Sequence, residues 1–179
     1  MASIEIKRHI DAPPERVFAM ASDFAGAAAN IEAILRVEML TGGPVRVGTR
    51  FRETRKMLGR ESTEEMEVTV FDPPRGYTLG CESNGCRYST ELRLEPSGSG
   101  TALQMVFEAT PLTGVAKVMG FLMRPMMKKA MTEFARDLDQ MKARLEAAER
   151  PVPAEKGAES TAEDATGDAE VEAETSPQG

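Results

Sequence analysis

The sequence predicts an α+β domain in which a seven-stranded antiparallel sheet is followed by one long helix. Three observations support this fold class. Short runs of alternating polar and apolar residues, separated by turn motifs, extend to about residue 110. The apolar period changes to three or four residues after Pro111, and large apolar residues become rare after Arg150. A chain of 179 residues provides enough material for one domain of ordinary size.

The N-terminal segment is predicted to form one strand and two short helices. Residues 3–10 alternate, so that three isoleucines share one face of a strand while His9 lies on the other face. Asp11 and the prolines after it are typical of a helix N-terminus and predict a short helix that reaches Met20. The Ala-rich stretch over residues 25–33 predicts a second short helix.

Six further strands are predicted, because turn motifs rich in Gly, Pro and Asn divide the next part of the chain. These strands are predicted over residues 34–40, 48–57, 61–71, 76–83, 86–95 and 101–110. Consecutive strands joined by short turns form an antiparallel sheet. An Asn-Gly turn after Ser83 places Cys81 opposite Tyr88, and the diagonal distance from Cys81 to Cys86 then exceeds the usual disulfide span. We therefore expect two free thiols.

A long amphipathic helix is predicted to follow, since apolar residues recur with helical spacing from Val115 to Leu145. Pro125 lacks a backbone donor, so we expect a kink or a division into helices over 114–124 and 125–147. Charged residues interrupt the first half, whose apolar run is much shorter than the roughly 20 residues needed to cross a membrane. An integral membrane segment is therefore not expected.

The acidic character of the chain belongs to its C-terminal segment. Residues 151–179 contain eight acidic side chains and one lysine, whereas residues 1–150 contain 21 acidic and 21 basic side chains. The segment has too few large apolar residues to fold by itself. We expect a folded domain over residues 1–148 and a disordered acidic tail over residues 149–179. A neutral domain with an anionic tail argues against nucleic acid as a partner.

The reactive side chains restrict the chemistry further. His9 is the single histidine, so a catalytic triad with a histidine base would have to use this residue. Two cysteines do not provide a four-ligand metal site, and we expect neither a metal nor a cofactor. The first residues lack the long apolar run of a signal peptide, which predicts a cytoplasmic location.

Four local motifs occur in a recognisable order. They are Ile10-Asp11-Ala12-Pro13-Pro14-Glu15-Arg16-Val17-Phe18, Val47-Gly48-Thr49-Arg50-Phe51, Asp72-Pro73-Pro74 and Leu138-Asp139-Gln140-Met141-Lys142-Ala143-Arg144-Leu145-Glu146. Over roughly residues 3–147, the chain resembles the START-like or Bet v 1-like superfamily (SRPBCC), the polyketide cyclase/dehydrase and lipid-transport group. The resemblance implies the helix-grip fold, in which a curved sheet wraps around the C-terminal helix and leaves room for an apolar ligand.

In such a fold, the inner face of the sheet is expected to line the ligand site or to fill a core. Strand parity assigns to this face Phe51, Met57, Met66, Val68, Val70, Tyr77, Leu79, Cys81, Tyr88, Leu92, Leu94, Met105 and Phe107. The same parity turns Glu53 and Arg55 inward, either as a polar anchor or as a mutually neutralised pair, and turns Thr54 toward water. Methionine-rich positions on the helix, Met119, Leu122 and Met126, complete the predicted ligand-binding set.

The leading interpretation is non-catalytic binding or transport of a hydrophobic small molecule, such as a lipid, a quinone, a sterol-like compound or a polyketide. The enzyme alternative is a polyketide cyclase or aromatase that uses Glu53, Arg55 and the tyrosines for acid and base chemistry. A third alternative is an interaction module for a partner protein or a membrane surface.

Overall fold

The computed structural model of the protein describes residues 2–83, 85–114 and 124–149. The elements follow one another as β1 (Ala2–Ile10), α1 (Pro14–Ala21), α2 (Ala27–Asn30), β2 (Ile34–Met39), β3 (Arg50–Met57), β4 (Arg60–Asp72), β5 (Gly76–Ser83), β6 (Cys86–Ser97), β7 (Gly100–Pro111) and α3 (Arg124–Glu149). The seven strands and the C-terminal helix confirm the predicted fold class, with strand ends shifted by one or two residues. The predicted helix over 114–124, the kink expected before Pro125 and the acidic tail lie outside the described residues.

The strands form one antiparallel sheet in the order β1-β7-β6-β5-β4-β3-β2. Neighbours from β2 to β7 are consecutive in sequence, whereas β1 pairs with β7, for example at Ile6 and Met105. The β3–β4 turn consists of Leu58 and Gly59, which both have positive φ, as hairpin turns of two residues require. The β5–β6 register places Cys81 opposite Tyr88, as predicted, and both cysteines are free.

A bulge in β4 changes which side chains face inward. The register between β4 and β5 shifts between Val68 and Val70, so that an extra residue reverses the alternation. Val68 is fully buried, whereas Val70 is 51% exposed and Phe71 packs inward in its place. The prediction that Val70 lies on the inner face is therefore wrong, because strand parity alone does not include a bulge.

The N-terminus of α1 also differs from the expectation. Pro13 occupies the N-cap position and Pro14 begins the helix, without a side-chain capping bond. Asp11 lies two residues before the N-cap, and its carboxylate is 3.1 Å from Nε2 of exposed His9. Proline at the first helical turn replaces the cap, since it has no amide to satisfy and its φ already suits a helix.

Helix α3 is attached to β1 through its C-terminal half. The Arg8 guanidinium donates to Asp139 at 2.6 Å, and the Lys142 ammonium donates to the His9 carbonyl at 2.6 Å. Glu146 accepts a hydrogen bond from the Asp11 backbone amide at 3.0 Å. No helix in the described part of the chain is long and apolar enough to cross a membrane.

Two hydrophobic clusters fill one end and one edge of the interior. The larger cluster joins α1, α3 and the sheet through Ile6, Ile10, Ala12, Val17, Phe18, Leu92, Leu94, Leu103, Leu138, Met141 and Leu145. The smaller cluster contains Phe24, Phe51 and Val68, and the Phe24 and Phe51 rings stack with centroids 4.6 Å apart. Since both clusters are closely packed, any ligand site on the inner face lies elsewhere.

Candidate functional site

A buried ionic cluster lies where the middle of β3 faces α3. Glu53 and Arg55 are both on the inner face and are 8% and 9% exposed, as the alternation of β3 predicts. The Arg55 guanidinium donates to Asp137 on α3, and its other terminal nitrogen is 3.5 Å from Glu53 Oε1. The arrangement is a triad with two carboxyl groups and one guanidinium, not the isolated pair that the sequence predicts.

Asp137 is absent from the predicted site, although the sequence contains a signal for it. Asp137 lies three residues after Phe134 and four before Met141, so it falls within the apolar stripe of α3. An acidic residue in such a stripe is directed toward the interior and needs a partner there. Arg55 is that partner.

The electrostatic environment raises the pKa of both acids. Burial raises the pKa of Glu53, an effect that Arg55 opposes and that Asp137 reinforces. Burial likewise raises the pKa of Asp137, again against the effect of Arg55. One guanidinium therefore faces two carboxyl groups at low dielectric, and Glu53 has the longer of the two contacts with it.

Aromatic side chains connect this cluster with the far side of the sheet. The Arg55 guanidinium carbon lies 4.8 Å from the centroid of the Phe134 ring, in the geometry of a cation–π contact. Phe134 in turn contacts Phe107 on β7, and Phe107 stacks on Tyr88 of β6, with centroids 5.7 and 5.8 Å apart. Helix α3 therefore bridges β3 and β7 over the strands between them.

A second polar group lies next to the ionic cluster on β4 and β5. Glu64 is directly opposite Glu53 in the β3–β4 ladder and accepts hydrogen bonds from Ser62 at 3.2 Å and Ser83 at 3.3 Å. The Cys81 thiol points at the other Glu64 oxygen, 3.6 Å away. Burial, with Glu64 as the next contribution, raises the pKa of Cys81 to about 11. This thiol is protonated at neutral pH and is therefore a weak nucleophile.

The other predicted site residues fall into four groups. Phe51, Val68 and Leu92 are at most 4% exposed and belong to the packed clusters. Tyr77 packs between Phe18 and Phe24, and its hydroxyl donates to the Ala21 carbonyl at 3.0 Å, so it satisfies itself within the protein. Half-buried positions remain at Met57, Met66, Leu79, Tyr88, Met105 and Phe107. Met119, Leu122 and the side chain of Met126 lie outside the described residues.

Thr54 also differs from the prediction. It is 8% exposed although it lies on the outer face of β3, and its hydroxyl is 2.9 Å from that of Thr63 on the neighbouring strand. Among the described residues, no group of His, Cys, Asp or Glu side chains is arranged to hold a metal ion.

Depressions lined by described residues are also found on the outer face of the sheet. One of about 240 Å³ lies beside Val70 and Arg75, and another of about 180 Å³ lies beside Lys7 and Gln104. Most charged side chains at the rims of these depressions form ion pairs, such as Arg75 with Asp72 at 2.8 Å. The inner face, with its buried triad, is therefore the better candidate for a functional site.

Comparison with known families then decides the classification. A family described as polyketide cyclase / dehydrase and lipid transport matches residues 1–146. The chain belongs to this family. A sequence comparison with curated proteins gives no significant match.

Solved structures of the START and Bet v 1 type share the fold of this polyketide cyclase/lipid-transport family member. The protein TTHA0849 from Thermus thermophilus is 22% identical, with a TM-score of 0.68 over 83% of this chain and 100% of its own. A START superfamily protein from Mycobacterium smegmatis is 17% identical, with a TM-score of 0.63 over 82% and 98%. The Zhui aromatase/cyclase from Streptomyces sp. R1128 is 17% identical, with a TM-score of 0.63 over 83% and 96%. At these identities, the similarity establishes the helix-grip fold.

Proposed function

We propose that the protein binds a hydrophobic small molecule between the inner face of the sheet and α3, without transforming it. Apolar burial supplies the affinity, and the polar groups of Glu53 and Arg55 orient the ligand. The family to which the chain belongs includes lipid-transport proteins, which is consistent with this role.

One observation carries the proposal: the inner face is fully packed at one end and retains exposure at the other. Leu92 and Leu94 on β6 are at most 4% exposed. Thr90 and Tyr88, two and four residues before Leu92 on the same face of the same strand, are only half-buried. Since α3 already bridges the sheet above them through Phe134, side chains that remain accessible there border space that a ligand can occupy.

The neutral fluorescent probe N-phenyl-1-naphthylamine tests the proposal directly. We expect saturable binding at one site, with a strong increase in emission, and the absence of tryptophan from the chain leaves a low background. Thr90→Trp should fill the inner space and weaken binding about tenfold or more, because Thr90 faces Leu79 and Phe107 across the two neighbouring ladders.

Ser89→Trp is the matched control, since Ser89 is the adjacent residue on the opposite face of β6. It should leave probe affinity unchanged. Equal affinity in the two variants would show that the probe does not bind between sheet and helix. Native mass spectrometry of protein purified from its source would then identify a co-purified lipid or another small molecule.

The enzyme alternative is favoured by a different observation. Burial raises the pKa of Glu53, and this carboxyl group lies next to a guanidinium that can stabilise a developing oxyanion. These two groups suit the cyclisation or dehydration of a poly-β-ketone. If Glu53→Gln abolishes such turnover of a poly-β-ketone thioester by several orders of magnitude while leaving its binding unchanged, the enzyme assignment replaces the binding assignment.

A further inference from the structure

Strand β2 forms an open edge of the sheet. It is the last strand in the order β1-β7-β6-β5-β4-β3-β2, and among the described strands only β3 pairs with it. Leu35 in the strand and Leu40 just after it are 47% and 40% exposed. An open edge with exposed apolar residues is a surface on which a further strand can pair.

The pairing with β3 determines which backbone groups of β2 face outward. The Leu40 amide donates to the Arg50 carbonyl at 2.9 Å, and the register is regular from Arg36 onward. Hydrogen-bonded and non-hydrogen-bonded pairs alternate along an antiparallel ladder. The backbone amides and carbonyls of Val37 and Met39 therefore point away from β3, toward the open edge.

The charges on the outer face of β2 select one register for a second copy of the chain. Two copies related by a two-fold axis pair antiparallel, with the axis at Val37, at Met39 or midway between them. An axis at Val37 places Arg36 opposite Glu38 of the second copy, and the reverse. The midway axis places Glu38 opposite itself, which is destabilising. An axis at Met39 places Glu38 opposite Leu40, so no opposite charges meet.

Both charged side chains are available for this pairing. Arg36 is exposed and has no ion pair within the ranges that the structure describes. The Glu38 side chain is 56% exposed and binds Arg52 through Oε2 at 2.9 Å, which leaves Oε1 as an acceptor. Residues 1–150 contain 21 acidic and 21 basic side chains, so two domains do not repel each other through their net charge.

We infer that two copies of this chain associate through β2, with Val37 on the two-fold axis and Arg36 paired with Glu38 of the other copy. Backbone hydrogen bonds at Val37 and the two ion pairs fix the register, and the exposed leucines at the ends of β2 meet apolar residues of the other copy. The bulge before Arg36 ends the regular pairing, so the shared ladder is short and the association is reversible. The inference is independent of the proposed function, because it concerns the sheet edge and not the space between sheet and helix.

Charge reversal in the full chain tests the register. Sedimentation velocity over a concentration series at physiological ionic strength should show a monomer–dimer equilibrium. Arg36→Glu should raise the dimer dissociation constant at least about tenfold, because it places carboxylates opposite each other. Glu38→Arg should do the same with guanidinium groups. An equal mixture of the two variants should recover dimerisation as a heterodimer, since every facing pair then has opposite charges.

Lys7→Glu is the matched control. It makes the same charge reversal at an exposed position of β1, the opposite edge of the sheet. It should leave the dissociation constant unchanged. Circular dichroism of each variant checks that the monomer remains folded.

Cysteine cross-linking tests the same register without charge reversal. Arg36→Cys and Glu38→Cys are prepared in a Cys81→Ser, Cys86→Ser background and oxidised with glutathione disulfide. Residues opposite each other in a non-hydrogen-bonded pair have Cα atoms about 4.5 Å apart, within the disulfide span, whereas diagonal neighbours are about 7–8 Å apart. The mixture should therefore form a disulfide-linked dimer, and each variant alone should form little.

Three results would overturn the inference. They are an unmodified protein that stays monomeric across the series, a loss of dimer with Lys7→Glu as large as that with Arg36→Glu, and a mixture of the charge variants that dimerises no better than either alone. Cross-linking in the mixture alone, together with recovery of the heterodimer, supports the assigned register.

Discussion

Arg55 on β3 and Asp137 on α3 are separated by 82 residues in the sequence and form a buried ion pair that joins the sheet to the helix. The pair fixes the C-terminal helix over the inner face at the level of Phe134. It also leaves Glu53 with the weaker of the two carboxylate contacts. A substitution of Arg55 therefore affects both carboxyl groups of the triad.

Arg55→Met should strongly destabilise the protein, because it leaves Asp137 buried without a cation. Removal of one partner of a buried ion pair typically costs about 3–5 kcal/mol. We expect a loss of this size in urea denaturation at pH 8, and the additional change Asp137→Asn should recover part of it. Arg52→Met is the control on the outer face of β3, where the arginine side chain is 41% exposed and its ion pairs contribute about 1 kcal/mol or less. Similar losses from the two arginine substitutions would contradict a buried triad.

Glu53→Gln should increase the melting temperature at high pH and leave it unchanged at low pH. Since the pKa of Glu53 is raised in the folded protein, the neutral carboxyl stabilises the fold, and this contribution is lost as the pH rises through the folded-state pKa. Glutamine retains a neutral side chain at every pH, so its advantage should grow between pH 5 and 8.5. Each 1 kcal/mol corresponds to about 2–4 °C in a domain of this size.

Asp139→Asn is the control with the opposite sign. A hydrogen bond from Arg8 lowers the pKa of Asp139, so its contribution to stability is present at neutral pH and is lost as the pH falls through the lowered pKa. The variant should therefore melt slightly below the unmodified protein at pH 7 and approach it in acid. If the melting temperatures of Glu53→Gln and Asp139→Asn, relative to the unmodified protein, change in the same direction with pH, the opposite pKa shifts of Glu53 and Asp139 are contradicted.

Cys81 should react slowly with iodoacetamide and should be protected by a bound probe. With its pKa raised to about 11, about one thiol in a thousand is ionised at pH 8. In a Cys86→Ser background, Glu64→Gln should accelerate alkylation, because it removes a negative charge next to the sulfur. Saturation with N-phenyl-1-naphthylamine should slow alkylation, and Glu67→Gln should not change it. Alkylation at the rate of a free cysteine peptide would show that the thiol does not face the buried inner site.

A chain that ends at Ala148 should retain the fold. The segment removed carries the net charge of −7 and few large apolar residues, so it contributes little to the core. We expect a melting temperature within about 2 °C of the full chain, or less than about 1 kcal/mol of stability. A large decrease would mean that the acidic segment binds to the domain.

The strands were predictable because their turns and alternation are local features of the sequence. The Leu58-Gly59 turn and the hairpin after Ser83 both place their strands in the expected register. The bulge at Val68 was not predictable from alternation, since nothing in a run of β-branched residues indicates which one is extra. Phe71 faces inward for this reason, although strand parity predicts Val70.

The site was predictable only in part, because its partners come from distant segments. Parity within β3 is sufficient to turn Glu53 and Arg55 inward. Their third partner, Asp137, depends on how α3 lies across the sheet, which local patterns do not specify.

The pairing of β1 with β7 determines the stage of folding at which the seven-stranded sheet becomes complete. Every other neighbouring pair of strands is joined directly along the chain, so the meander from β2 to β7 forms through contacts of short sequence separation. The Ile6–Met105 pairing requires the two ends of the folded domain to meet, and α3 then docks on β1 through Arg8 and Lys142. During synthesis on the ribosome, β1 therefore has no partner strand until β7 has been made, and α3 cannot dock before that point. The long sequence separation of β1 and β7 predicts that β1 joins after the rate-limiting step, in which case Ile6→Val should unfold faster and fold at a nearly unchanged rate.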